Sequence, residues 1–187
     1  MNEFPRPPLL DEANLSPAQQ VVFDAIRSGP RGIVEGPLRV WLQSADLADK
    51  AQALGAFCRY GTSLPPRLSE LAILVTGAFW KAGFEWAVHA PIAIRAGLSE
   101  EVVEALRKGA RPDFAEEDAA VVYGFSRELH ENHRVSDATY RRACAILSPR
   151  TVVELVGLLG YYTLISMTIN AFNIPLPEGV SDPFAGV

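Results

Sequence analysis

Apolar residues recur every three or four positions along most of the chain, and polar caps, prolines and glycines cut that pattern into short helical runs. Ser16-Pro17 reads as an N-cap followed by proline at the first helical position. The helix it opens runs to about Ser28, with Val21, Val22, Ala25 and Ile26 inward, and Gly29-Pro30-Arg31-Gly32 stops it. Gly36 to Leu42 is short and proline-started, and reads as a loop that packs Leu38, Val40 and Trp41 inward and aims Arg39. Ser44 or Asp46 caps a helix to about Tyr60, with Leu47, Ala51, Leu54 and Phe57 on its inner face. Pro65-Pro66 opens a central helix. There Leu68, Leu71, Ala72, Val75, Ala78 and Phe79 keep the 3.6-residue period, while Ile73 and Leu74 widen the apolar face until little polar surface is left. Such a helix belongs inside a bundle.

Gly83 breaks the pattern, and a second helical piece carries Glu85, Trp86, His89 and Ile92 to about Gly97. Pro91 predicts either a start near Val88 or a kink. Further helices are predicted from Ser99, Asp113 and Ser136, and Ser148-Pro149 caps a last apolar stretch, Thr151 to Ile174. No stretch reads as a strand. The expected fold is all-α, a single-domain bundle of about eight helices over residues 16–175. Residues 1–15 are expected to form an arm whose Leu9 and Leu10 clip onto a surface, and residues 176–187 an extended tail.

Composition narrows the class. A chain of 187 residues, 49% hydrophobic and 21% charged, is long enough for one substantial core. A net charge of −5 without a basic run points away from nucleic acid. Cys58 and Cys144 form no CxxC, so no disulfide framework or zinc ribbon is expected. The reducing compartment this suggests, with a start that is acidic and proline-rich, leads to an expected cytoplasmic location. The Thr151–Ile174 stretch is long enough to span a membrane. Its Glu154, Asn170 and Asn173 favour a buried helix instead.

Candidate chemistry concentrates between Arg67 and Gly97. Glu85 and His89 lie four apart and share one helix face, about 6 Å apart. Acid–base chemistry uses such a pair, and an exposed ion pair would have the same spacing. Glu70 on the central helix must be paired, hydrogen-bonded or protonated if buried, or else serves the helix dipole from the first turn. Arg39 is a candidate anchor for a substrate carboxylate, and Trp41 and Trp86, with Phe57 and Tyr161, are candidate pocket-shaping residues. His130 and His133 lie three apart, but no third ligand with suitable spacing accompanies them, so no metal site is expected. No GxGxxG, P-loop, GxSxG or HExxH is present, which removes the usual signals for nucleotide binding and triad hydrolysis.

The central stretch resembles the carboxymuconolactone decarboxylase/AhpD-like family. In the thiol branch of that family a glutamate, a CxxC pair and a histidine follow the frame E-x11-C-x2-C-x3-H. Here Glu70 and His89 hold the ends of that frame, Ala82 stands at the first cysteine position and Glu85 at the second. Glu85-Trp86-Ala87-Val88-His89, the following IAIRAGLSEEVVEAL and the ELVGLLGYY start of the last helix are similar to the cysteine-free, decarboxylase-like branch. The resemblance covers about residues 35–175. It implies an AhpD-like bundle and a homo-oligomer, often a trimer or hexamer. It also implies a cofactor-free enzyme acting on a small carboxylated lactone or ring by decarboxylation or a related lyase or isomerase step. His89 would then transfer the proton, with Glu85 orienting it and Glu70 completing a relay. Two alternatives stay open: an AhpD-type antioxidant protein, which would need Cys58 in the site, and a non-catalytic oligomeric binding protein.

Overall fold

The computed structural model describes residues 6–8 and 10–187, and among these the only regular structure is helical. A short 3-10 turn, Glu12–Asn14, precedes nine helices: α1 Pro17–Ser28, α2 Pro37–Trp41, α3 Ala45–Tyr60, α4 Pro66–Phe79, α5 Gly83–Arg95, α6 Glu100–Arg107, α7 Glu117–Asn132, α8 Asp137–Leu147 and α9 Pro149–Ala171. They form one helical bundle. The element starts follow local chemistry. Ser16, Ser99, Ser136 and Ser148 each accept a hydrogen bond from a first-turn backbone N–H, and Ser16 with Gln19 completes a reciprocal capping box.

α4 is the axis of the fold. Every residue from Leu68 to Gly77 is buried, and the helix packs against α5, α7 and α9. Its buried threonine is satisfied inside the core. Thr76 Oγ1 donates to the Ala72 carbonyl (3.0 Å) and lies 3.0 Å from His130 Nε2, while the His130 ring stacks on Phe79. Lys81 turns the chain in the left-handed region (φ 48°), with the Ala82 N–H bonded to the Gly77 carbonyl, and α5 folds back along α4. α5 runs without interruption from Gly83 through Pro91. Of the two expectations for Pro91, the late start near Val88 is therefore not what occurs.

α9 is by length and composition apolar enough to cross a membrane, but it packs against α3, α4 and α8. Leu155, Leu158, Leu159, Tyr161, Tyr162 and Ile165 are all buried. The buried Glu154 is satisfied by the Ser63 N–H and hydroxyl, both at 2.6 Å, and by Arg150 at 2.9 Å.

Several details differ from the sequence reading, and in α1 Val21 (69% exposed) and Ala25, expected inward, face outward. Residues 37–41 are a helix rather than a loop: Gly36 takes a positive φ (54°) and Pro37 supplies the first helical position. A Cβ at Gly36 would also press on the Phe84 ring. The inner face of α3 is Ala48, Ala51, Gly55 and Cys58, while Leu47, Leu54 and Phe57 are each nearly half exposed. The face against α9 needs small residues, so the bulky ones turn outward. The C-terminal segment is anchored: Phe184 is buried against Trp86 (5.4 Å) and the Pro183 carbonyl accepts from Arg107. The N-terminal arm is tied down as well, with Leu10 packed on the core and the Pro8 carbonyl accepting from Gln43. Leu9 and residues 1–5 lie outside the described residues.

Candidate active site

Folding α5 back onto α4 brings Glu70, Glu85 and His89 together. All three are buried, at 5%, 5% and 3% exposure. His89 Nδ1 is 2.7 Å from Glu70 Oε2, and Nε2 is 2.9 Å from Glu85 Oε1. The ring is thus held at both nitrogens, and Tyr162 meets it edge-on at 5.4 Å. Glu70 lies beyond the first turn of α4, so its partner is this histidine and not the helix terminus.

Both ring nitrogens facing carboxylate oxygens is the arrangement an imidazolium satisfies best, because each N–H finds an acceptor. Burial alone would push the pKa of His89 down. The Glu85 charge, the hydrogen bonds to Glu70 and Glu85 and the Glu70 charge outweigh it, and the pKa is raised to about 9. The sequence left that competition undecided. The geometry resolves it in favour of the charged form at neutral pH.

Glu85 and His89 open onto a cleft of about 90 Å³ walled by Arg31, Arg59, Tyr161 and Tyr162, with Leu38, Val88 and Ile165 among its apolar lining. Glu70 is on the far side of the imidazole and does not line the cleft. Tyr161 has its pKa pushed up to about 12, chiefly by burial, with the Arg31 charge opposing, and burial raises Tyr162 well above the ordinary phenol value. Both phenols are therefore neutral hydrogen-bonding groups. Arg31 donates to the Tyr161 hydroxyl (3.3 Å) and to the Gln52 carbonyl (3.2 Å).

The three residues expected to bind substrate sit elsewhere. Arg39 is paired with Glu12 (2.8 Å) and donates to the Leu10 carbonyl, which makes it the fastener of the N-terminal arm. Trp41 is a core residue whose Nε1 donates to Thr168 Oγ1 (3.0 Å). Trp86 is buried on the side of α5 that meets Phe184. None of the three lines the cleft. Cys58 does not line it either. It is buried, and burial raises its thiol pKa. His130, placed by Thr76 and Phe79, has its pKa lowered by burial and by Arg127 and stays neutral in its structural place.

Residues 45–123 match the carboxymuconolactone decarboxylase family. The match spans α3 through the start of α7, and so contains Glu70, Glu85 and His89. Solved structures extend the likeness of fold to the whole chain. A variant of the debrominase Bmp8 in complex with 2,3,4-tribromopyrrole has a TM-score of 0.73 at 14% identity, covering 99% of this chain and 95% of that one. An uncharacterized peroxidase-related protein from Silicibacter sp. TM1040 has a TM-score of 0.72 at 13% identity, covering 95% and 96%. No match among curated proteins reaches significance.

Arg31 and Arg59 had no visible signal as site residues. Arg31 stands in a helix-stopping turn and Arg59 at a helix C-terminus, where a cation complements the dipole anyway. The tandem Tyr161-Tyr162 in an otherwise aliphatic helix was the readable clue, because a buried tyrosine needs a partner for its hydroxyl. Gly55 holds this wall in place. A Cβ there would overlap the hydroxyl end of Tyr161 and the Arg31 guanidinium. Gly55→Ala is expected to lower stability by about 1–3 kcal/mol in urea unfolding, the range for overpacking a core. It should also weaken any activity of the cleft.

Proposed function

We propose that the protein is a cofactor-free acid–base enzyme that acts on a small carboxylated ring or lactone, by decarboxylation or a closely related lyase or isomerase step. The observation that carries the reading is a buried histidine, clamped between two carboxylates, whose Nε2 edge opens with Glu85 onto a cleft. In decarboxylation the C–C bond to the leaving carboxylate breaks and CO2 departs. The electron pair moves into the ring carbonyl as an enolate, and a proton must then reach carbon. His89 supplies that proton from its Nε2 edge and becomes neutral, and solvent restores it. Glu70 fixes the ring through Nδ1 and stabilises the imidazolium. Glu85 shares the cleft edge and steers the proton. The test is turnover of a 4-carboxymuconolactone-type substrate by wild type and His89→Gln. Equal rates would remove His89 from the chemistry.

The AhpD-type antioxidant alternative finds little support. Ala82 and Glu85 replace the cysteine pair, and Cys58 is buried with a raised pKa. Cytoplasmic location goes with the same reading.

A homo-oligomer is part of this proposal. α9 presents Val153 (72% exposed), Val156, Gly157, Gly160 and Met167 (50% exposed) along its outer face, without a charged residue among them. A contiguous apolar face of this kind marks a contact surface, and a second copy of the chain is the occupant we assign to it. Sedimentation should show a trimer or hexamer, and Val153→Glu should shift it to smaller species. A wild-type monomer would contradict the assignment.

A further inference from the structure

We propose that Arg31 and Arg59 are the carboxylate-recognising residues of the His89 cleft, and that the carboxylate they hold is one the substrate keeps through the reaction. This rests on the acid–base reading above and specifies the substrate it takes.

Six arginines are half-buried among the described residues: Arg31, Arg39, Arg59, Arg67, Arg107 and Arg127. Four of them meet a carboxylate of the chain: Arg39 with Glu12, Arg67 with Asp118, Arg107 with Glu104 and Arg127 with Glu131. Arg31 and Arg59 meet none among the described residues, and both line the cleft. Their contacts are to neutral groups. Arg31 is held by the Gln52 carbonyl and the Tyr161 hydroxyl, and the Arg59 guanidinium lies over the Tyr60 ring at 5.3 Å. Those contacts aim the two side chains and leave their charge uncompensated. Glu35, exposed at the rim, makes no ion pair with either.

A planar guanidinium recognises a carboxylate through two parallel N–H bonds, and partial burial strengthens them. A carboxylate about to leave as CO2 has the opposite need. It loses charge in the transition state, so a guanidinium bound to it would favour the ground state. The anchored group is therefore a second carboxylate. The leaving one lies away from both guanidinium groups, against apolar wall such as Val88 and Ile165.

Calorimetric titration with a saturated, unreactive γ-lactone carboxylate and with its methyl ester tests this without turnover. Wild type should bind the carboxylate more tightly than the ester. Arg59→Gln, which removes no side-chain hydrogen bond among the described residues, should lower carboxylate affinity about 10- to 100-fold and leave ester binding unchanged. Arg59→Lys should recover only part of the loss, and Arg31→Gln should behave like Arg59→Gln. His89→Gln should keep the preference for the carboxylate, because the anchor is separate from the proton donor. Carboxylate preference with no turnover by wild type would sink the acid–base reading and leave the anchor standing. Equal binding of carboxylate and ester by wild type, unchanged affinity in Arg59→Gln, or no saturable carboxylate binding would each overturn the anchor.

Discussion

Replacing His89 with glutamine is expected to reduce turnover of a carboxylated lactone by about 10²–10⁴-fold, the usual contribution of a positioned general acid. It should also cost roughly 3–5 kcal/mol of stability, the penalty for removing one partner from a buried ionic group. An amide cannot present two N–H donors on opposite sides to Glu70 and Glu85, and it carries no charge. Two carboxylates at 5% exposure would be left without their cation. If the variant folds poorly, the triple variant Glu70→Gln, Glu85→Gln, His89→Gln separates the effects. With the acids neutralised it should regain much of the lost melting temperature and stay inactive. A triple variant that is stable and active would place the chemistry elsewhere. One that is no more stable than the single variant would remove uncompensated charge as the cause.

Stability should also fall between about pH 6.5 and 9. His89 has an ordinary value of 6.5 and a folded value of about 9. A raised pKa means that the native state holds the proton more tightly. Its contribution is complete below 6.5 and lost as pH rises through 9. The difference corresponds to up to about 3 kcal/mol, at roughly 1.4 kcal/mol per pH unit. The groups facing the ring come from three helices: Glu70 from α4, Glu85 from α5 and Tyr162 from α9. Other buried groups act outside this window. His130, with its pKa lowered, matters only on the acid side, and Cys58, raised above 9.0, matters only beyond it. Urea unfolding at intervals from pH 6 to 9.5 should therefore show a decline in wild type that is absent from the triple variant. Turnover that depends on the imidazolium should fall over the alkaline end of the same range. A flat profile in wild type would mean that the histidine is neutral in the fold.

The catalytic candidates were legible because their signals are local. Glu85 and His89 share a face by spacing, and Glu70 is an acid on a helix too apolar to leave it exposed. The hairpin of α4 and α5 turns those local facts into one cluster. The cleft walls were illegible because they come from distant elements: Arg31 after α1, Arg59 at the end of α3, Tyr161 and Tyr162 on α9. Arg39 and Arg31 both stand near helix ends in irregular sequence, and nothing in the pattern says which faces the cleft and which ties down an arm. Trp41 and Trp86 looked like pocket walls but are core, the commoner fate of a large aromatic side chain. The face of α3 was misread for a related reason. Periodicity alone favours the large apolar residues as the inner set, whereas close packing against α9 selects Ala48, Ala51 and Gly55.

The proposed chemistry turns on a single proton. Nitrogen-15 NMR of the His89 ring through a pH titration measures it directly. Two protonated ring nitrogens persisting past pH 8, with a midpoint near 9, are expected from the clamp of Glu70 and Glu85. A midpoint at or below the ordinary 6.5, with one bare ring nitrogen at neutral pH, would contradict it.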